Sequence, residues 1–332
     1  MWQQPAQDAA SQRRVLPFHV DTRKRPELMR LEGTPHRWPD AQQAWDHGRL
    51  SQWPASKEDH AMAHFGTADL PFHVALANAF TLCDAYHCSF IGGTWPNRLF
   101  MWTGTNDPQG TGGGPALYNE FEDFGKATDT TGYRWATYAE RLQAAGVSWQ
   151  VYQDVADNFG DNPLAGFRAF RDAFHQRPGH SAALRERAGT TRALDALRAD
   201  VLAHRLPAVS WVVAPVADSE HPWKSSPAQG ADYTARVLDA LLADEDVWSR
   251  TVLLVNYDEN DGYFDHVPPP APPSLGPAGP AGRSGVDTTG EYHGRLAPEH
   301  PEAAERAWLQ RPYGLGPRVP MFVVSPFSRG GH

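Results

Sequence analysis

The 332-residue chain has only two cysteines, Cys83 and Cys88, too few for a disulfide framework. They are free to pair with each other or to sit as two small buried side chains. No apolar run approaches the roughly 20 residues of a transmembrane helix. Positive charge is in deficit: 30 Lys and Arg face 39 Asp and Glu, for a formal net charge of −9. A basic field that would draw in nucleic acid or an anionic surface is therefore missing. The opening stretch, MWQQPAQDAASQRR, has no apolar segment of the secretory kind. No internal repeat is found. The loop GTGGGP (110–115) lacks the Lys-Ser/Thr of a phosphate loop and does not follow a strand, so it reads as structural.

The length suits one large α/β domain, and 12 Trp, 29 Pro and 29 Gly suggest a loop-rich enzyme. Residues 1–66 read as an extended lead-in with short helices. Apolar spacing predicts helices over 69–80, 137–146, 193–206 and 231–244, and strands over 147–154, 208–215, 251–257 and 319–324. Strands separated by helices of crossover length argue for a mostly parallel sheet flanked by helices. Residues 267–317 are a Pro/Gly-rich excursion. Ligands bind beyond the carboxyl ends of the strands in such sheets. Three polar clusters fall there by sequence: DSEHP (218–222), DENDGYFDH (258–266) and SPFSRGG (325–331).

The second cluster packs many carboxylates into a few positions. Close carboxylates repel unless protons or a cation neutralise them. Hard oxygen ligands suit a divalent ion, and His266 adds an imidazole. The same composition also describes a solvated acidic turn. GGTWPNR (92–98) is the next candidate. Thr94 follows two glycines that permit close backbone approach, and its hydroxyl becomes a nucleophile only with a base or metal beside it. Asn97 and Arg98 offer donors to an oxyanion. The plainer alternative is a turn in which Thr94 caps a helix starting near Pro96. His221, held extended before Pro222, is either a phosphate contact or proton donor, or an ordinary loop histidine. His36 and His87 carry the same ambiguity.

CDAYHCSFIGGTWPNRLFMWTGT, GGGPALYNEFEDFG, LPAVSWVVAPVADSEHP, VLLVNYDENDGYFDHVPPP and PYGLGPRVPMFVVSPFSRGG together cover much of the chain. In this order they resemble the bacterial phosphoesterase family of phosphocholine-specific phospholipases C and related acid phosphatases, closer to the phospholipase branch. The resemblance implies an alkaline-phosphatase-like fold and a metal-assisted attack by a hydroxyl on phosphorus. It implies Thr94 as nucleophile, His221 as a catalytic phosphate contact, and Asp258 and Glu259 as ligands of a divalent metal ion. His36, His87 and Asn97 would line the substrate site, with Asp261 and His266 nearby. The implied substrate is a phospholipid headgroup, met by transient contact with a membrane surface after export. A phosphomonoesterase, or a Ca²⁺-holding module without turnover, is the alternative. The family's early strand, whose Glu and Asn complete the metal site, has no counterpart here. The expectation is therefore an incomplete single catalytic domain over 1–332, with its first strand missing.

Overall fold

A computed structural model describes residues 2–272, 275–276, 279–280, 284–297 and 303–331. Helices and several small sheets make a mixed α/β architecture. The short apolar runs VSWV (Val209–Val212), LLVN (Leu253–Asn256) and MFVV (Met321–Val324) are all strands. WQVY (Trp149–Tyr152) is buried at every position and pairs in parallel with Val209–Val212.

The expected single, mostly parallel sheet is not found among the described residues. Met321–Val324 lies between Thr81–Leu82 and Leu253–Asn256 and runs antiparallel to both. The parallel pair Trp149–Tyr152 and Val209–Val212 is a separate ladder. The reason lies in the connections. Helices 193–206 and 231–244 mark crossover units, but the link from Asn256 to Met321 is the long Pro/Gly-rich excursion. Such a link imposes no crossover geometry and leaves the last strand free to return antiparallel. Parts of that excursion, 273–274, 277–278, 281–283 and 298–302, lie outside the described residues.

Two open edges result. Leu253–Asn256 and Val209–Val212 each pair on one side only among the described residues. Val252 and Leu254 beside the first edge are half-exposed. The helices Leu194–Leu202 and Pro227–Leu241 cover both ladders from one side, where Leu197, Val201, Val237 and Leu241 pack with Val212 and Leu253. Successive strand residues point to opposite faces. Trp211 therefore faces the other layer, stacked on Trp102 at 4.3 Å between ring centres. The Pro227–Leu241 helix starts before the expected Ala231 because Ser226 caps it and Pro227 occupies its first turn.

The glycine-rich loop is structural, as expected. Asp107 already fills it with an anion, its carboxylate accepting from the N–H groups of Thr111, Gly112 and Gly114 at 3.1, 2.7 and 2.8 Å. Cys83 and Cys88 are free, and Cys88 is buried. No helix among the described residues is long and apolar enough to cross a membrane.

Candidate active site

Thr94 begins the helix Thr94–Thr103 rather than capping it; Gly93 is the N-cap. The helix is amphipathic in a way that aims the site. Trp95, Leu99 and Trp102, spaced i, i+4, i+7, are buried in the main core. Thr94 and Arg98, one turn apart, lie on the flank of that face, and both line a cleft of about 680 Å³. An outside residue supplies the cap: Asn119 Oδ1 accepts from Trp95 N–H at 3.0 Å. The Thr94 hydroxyl is thus not consumed by the first turn. Gly93 permits the close approach of His36, whose ring carbon would lie 3.3 Å from a Cβ there.

The acidic segment follows the strand Leu253–Asn256, and its neighbouring side chains diverge. Asp258 turns to the helix, where its Oδ2 accepts from Arg98 Nε at 2.9 Å and its Oδ1 from Glu259 N–H at 2.9 Å. Arg98 also pairs with Asp161 at 3.1 Å and donates to the Asp161 carbonyl at 2.9 Å. Burial pushes the Asp161 carboxyl up to about 7, against the pull of Arg98. Glu259 turns the other way, into the protein. Burial, then the Asp258 charge, holds its carboxyl well above the usual range. Asp261, in a left-handed turn at φ 47, is pushed up to about 7 by burial and then by Glu259. Burial drives Lys57 down to about 8; the charges of Asp40, Glu259 and Asp261 oppose this, and its ammonium donates to the Pro35 carbonyl at 2.5 Å.

His36, Glu259 and Asp261 converge. His36 lies 3.8 Å from Glu259 and 3.3 Å from Asp261, and the three offer ligand atoms within 4.8 Å of one another. His36 Nδ1 donates to the Thr34 carbonyl at 2.6 Å, and Nε2 is the ring nitrogen toward Glu259. Asp261 Oδ1 is buried without a hydrogen-bond partner. A buried unpartnered carboxylate oxygen is costly. Two carboxylates and an imidazole are a donor set for a hard or borderline divalent cation. The residues present fit such an ion, and the set differs from the expected Asp258–Glu259 pair. Glu259 belongs to it; Asp258 is engaged by Arg98.

His221 lines the same cleft. Its Nδ1 donates to the Pro222 carbonyl at 2.9 Å, and burial lowers its pKa. Three expected site residues are not brought in. Asn97 is buried, and its amide is spent on the backbone: Oδ1 accepts from Phe90 N–H, and Nδ2 faces the carbonyls of Phe90, Gly92 and Gly93. It fixes the loop that carries Thr94. His87 binds the Gly316 carbonyl at 2.9 Å and does not line the cleft. His266 is half-exposed and stacks on Trp2 at 4.6 Å. Asp265, by contrast, shapes the turn by a two-pronged pair with Arg318, both contacts 2.8 Å.

The cluster SPFSRGG is also displaced. Met321 pairs with Asn256 and Val324 with Leu253, so the antiparallel return carries Ser325 to the far end of the strand. There its hydroxyl donates to Thr251. The start of that strand, Arg318 to Pro320, lines the cleft instead. The sequence reading missed Asp161, Lys57 and the His73–Glu220 pair. For Asp161 no local pattern was available, because its role depends on Arg98, 63 residues away.

The chain matches the phosphoesterase family over residues 2–332. It is 52% identical, over 96% of its length, to a non-hemolytic phospholipase C of Pseudomonas aeruginosa. It is 38% identical over 95% to a hemolytic phospholipase C of that organism, and 36% over 95% to phospholipase C A of Mycobacterium tuberculosis. The chain spans 44%, 43% and 59% of those relatives. It belongs to the phosphoesterase family.

Proposed function

We propose that the protein hydrolyses a phosphodiester of the phospholipase C type, with Thr94 as nucleophile and a divalent cation held by His36, Glu259 and Asp261. The substrate would be phosphatidylcholine or sphingomyelin, giving phosphocholine plus diacylglycerol or ceramide. The observation that carries this reading is the placement of Thr94. Its hydroxyl stands at a helix start capped from outside, in one cleft with His221, Arg98 and the acidic cluster. The names of the relatives point the same way. The proposed fold type is alkaline-phosphatase-like, with 1–332 acting as one catalytic domain and 267–317 a Pro/Gly-rich excursion within it. The protein would work at a membrane surface after export.

Thr94 Oγ1 attacks phosphorus, and the bond to the glycerol or ceramide oxygen breaks. The headgroup phosphate is carried on Thr94 until water attacks phosphorus and frees the threonine. The bound cation supplies charge neutralisation and acidifies the attacking hydroxyl. His221 rests neutral, since burial disfavours its charged form. Its Nε2 would take the threonine proton, and solvent would protonate the alkoxide that leaves on the far side of phosphorus. Arg98, one turn beyond Thr94, fixes positive charge beside the phosphoryl oxygens.

In the intact protein, Thr94→Ala should lower turnover of 4-nitrophenyl phosphocholine by about 10³-fold or more. Cation binding by calorimetry should persist. The reading is lost if that variant stays active, or if 4-nitrophenyl phosphate is the better substrate for the wild type.

A further inference from the structure

The cleft holds one more half-hidden carboxylate, which the reaction above does not use. Glu220 precedes His221 in the cleft wall, and its side chain is 15% exposed. Its neighbours are His73, whose Nε2 lies 3.0 Å from Oε1, and Tyr257, whose phenol is held well above its usual range by burial and then by the Glu220 charge. Neither neighbour is an Arg or a Lys. The other acidic groups of the inner cleft are answered differently. Asp161 and Asp258 face Arg98, Asp265 faces Arg318, and Glu259 and Asp261 face His36 and Lys57. Among the described residues, Glu220 is given no Arg or Lys partner.

Two local concessions keep it in place. Glu220 sits at φ 61, a region that side-chain-bearing residues rarely occupy. Gly230 lies within the helix Pro227–Leu241, where glycine is a poor choice. A Cβ there would meet Glu220 Cγ at 2.1 Å and Oε1 at 2.3 Å. A left-handed backbone and a helix-interior glycine both serve to seat this carboxylate. The cleft that holds it also offers apolar side chains, among them Met29, Leu31, Val74 and Ala77.

We infer that Glu220, framed by Tyr257 and His73, is the specificity residue for a cationic headgroup, read as a quaternary ammonium. This rests on the proposed diesterase reaction. A lone carboxylate offers a negative field. It has less to offer a primary ammonium, which needs acceptors for three N–H groups, because Asp161, Asp258 and Asp265 of the inner cleft are already paired with arginines. A quaternary ammonium needs only the field, an aromatic neighbour and apolar contact. Glu220 does not touch the reacting atoms in this scheme; it sets which alcohol accompanies the phosphate.

The test compares two diesters in the intact protein: 4-nitrophenyl phosphocholine and its uncharged isostere, the 3,3-dimethylbutyl ester. Wild type should favour the charged ester in kcat/KM, and Glu220→Gln should erase about tenfold of that preference through KM. Turnover of the uncharged ester should hold. Gly230→Ala, which crowds Glu220 from behind, should do the same. If Glu220→Gln keeps the preference, or lowers both esters equally, the inference is overturned. Should the wild type cleave neither diester, the diesterase reading fails alone. Calorimetric binding of choline, weaker in Glu220→Gln than in wild type, would still support the cation subsite, and equal binding would remove it.

Discussion

Among the described residues, two places bring a histidine and two carboxylates within ligand distance of one another: His36 with Glu259 and Asp261, and His204 with Asp244 and Asp246. By residue type they are the same. At the second, His204 is half-exposed and lies 3.2 Å from Asp244 and 3.6 Å from Asp246. Asp244 is spent capping a short helix through Val247 N–H at 2.9 Å. Asp246 is spent on Arg250 at 2.7 Å. At the first, the carboxylates are buried, one oxygen has no partner, and burial holds both carboxyls above their usual range. Donor count does not separate the two clusters. Water and unspent lone pairs do.

The largest effect expected from that difference is on metal and turnover together. Glu259→Gln or Asp261→Asn in the intact protein should weaken divalent-cation affinity by about 100-fold or more and abolish most diesterase activity. Asp244→Asn should leave both alone, since Asn caps a helix about as well as Asp. Equal losses from the two clusters, measured by calorimetry and turnover, would break the comparison.

The comparison also has a pH signature. Without a cation, the folded-state pKa of Asp261 is about 7, against 3.8 for the ordinary group. The folded state therefore binds a proton that the unfolded state has lost. Its stabilising share is complete below about pH 4 and disappears as pH rises through about 7. The size is on the order of 4 kcal/mol for one such group. Urea unfolding of the cation-free protein should show stability falling across that window, and Asp261→Asn should flatten the fall. Cation binding near neutral pH should release protons. A metal-free profile that is flat from pH 4 to 7 would contradict the buried-cluster account.

A smaller effect separates the residues that do the chemistry from one that holds them. Asn97→Ala strands Phe90 N–H and the carbonyls around Gly92 and Gly93, at a cost of about 2–3 kcal/mol. Thr94→Ala should cost little stability. Thermal unfolding of the two variants should therefore rank opposite to their kinetic severity once Asn97→Ala is assayed below its melting temperature.

Element positions were legible where apolar periodicity is local, as in VSWV, LLVN and MFVV, and in the helix before Gly146. Strand direction was not, because the 64 residues between Asn256 and Met321 mostly lack periodicity in their sequence, and periodicity carries no vector. The same blindness sent SPFSRGG to the wrong end. Within the site, DENDGYFDH was readable as a charge problem, since so many carboxylates demand an answer. Which carboxylate receives which answer was not readable. Asp258 and Glu259 are neighbours in sequence, yet one meets Arg98 and the other His36. His87, His266 and Asn97 were chosen for their polar groups. Their carbonyl, ring and backbone partners come from residues too distant to see, or, for Asn97, from a turn that forms only with the helix.

The weakest expected effect is the sharpest check on the comparison. Asp246 and Arg250 are both about two-thirds exposed, and their contact is one helical turn apart. Exposed pairs of this kind are worth up to about 0.5 kcal/mol, because water already solvates both charges. His204 adds a third exposed partner and no buried surface. Asp246→Asn and His204→Ala should thus shift unfolding by no more than that amount and leave cation stoichiometry at the wild-type value. Raising the salt concentration should shrink even the small effect of Asp246→Asn. A lost equivalent of bound cation in either variant would mean that exposed carboxylates suffice here, and the argument from burial and unspent oxygens at His36, Glu259 and Asp261 would lose its contrast.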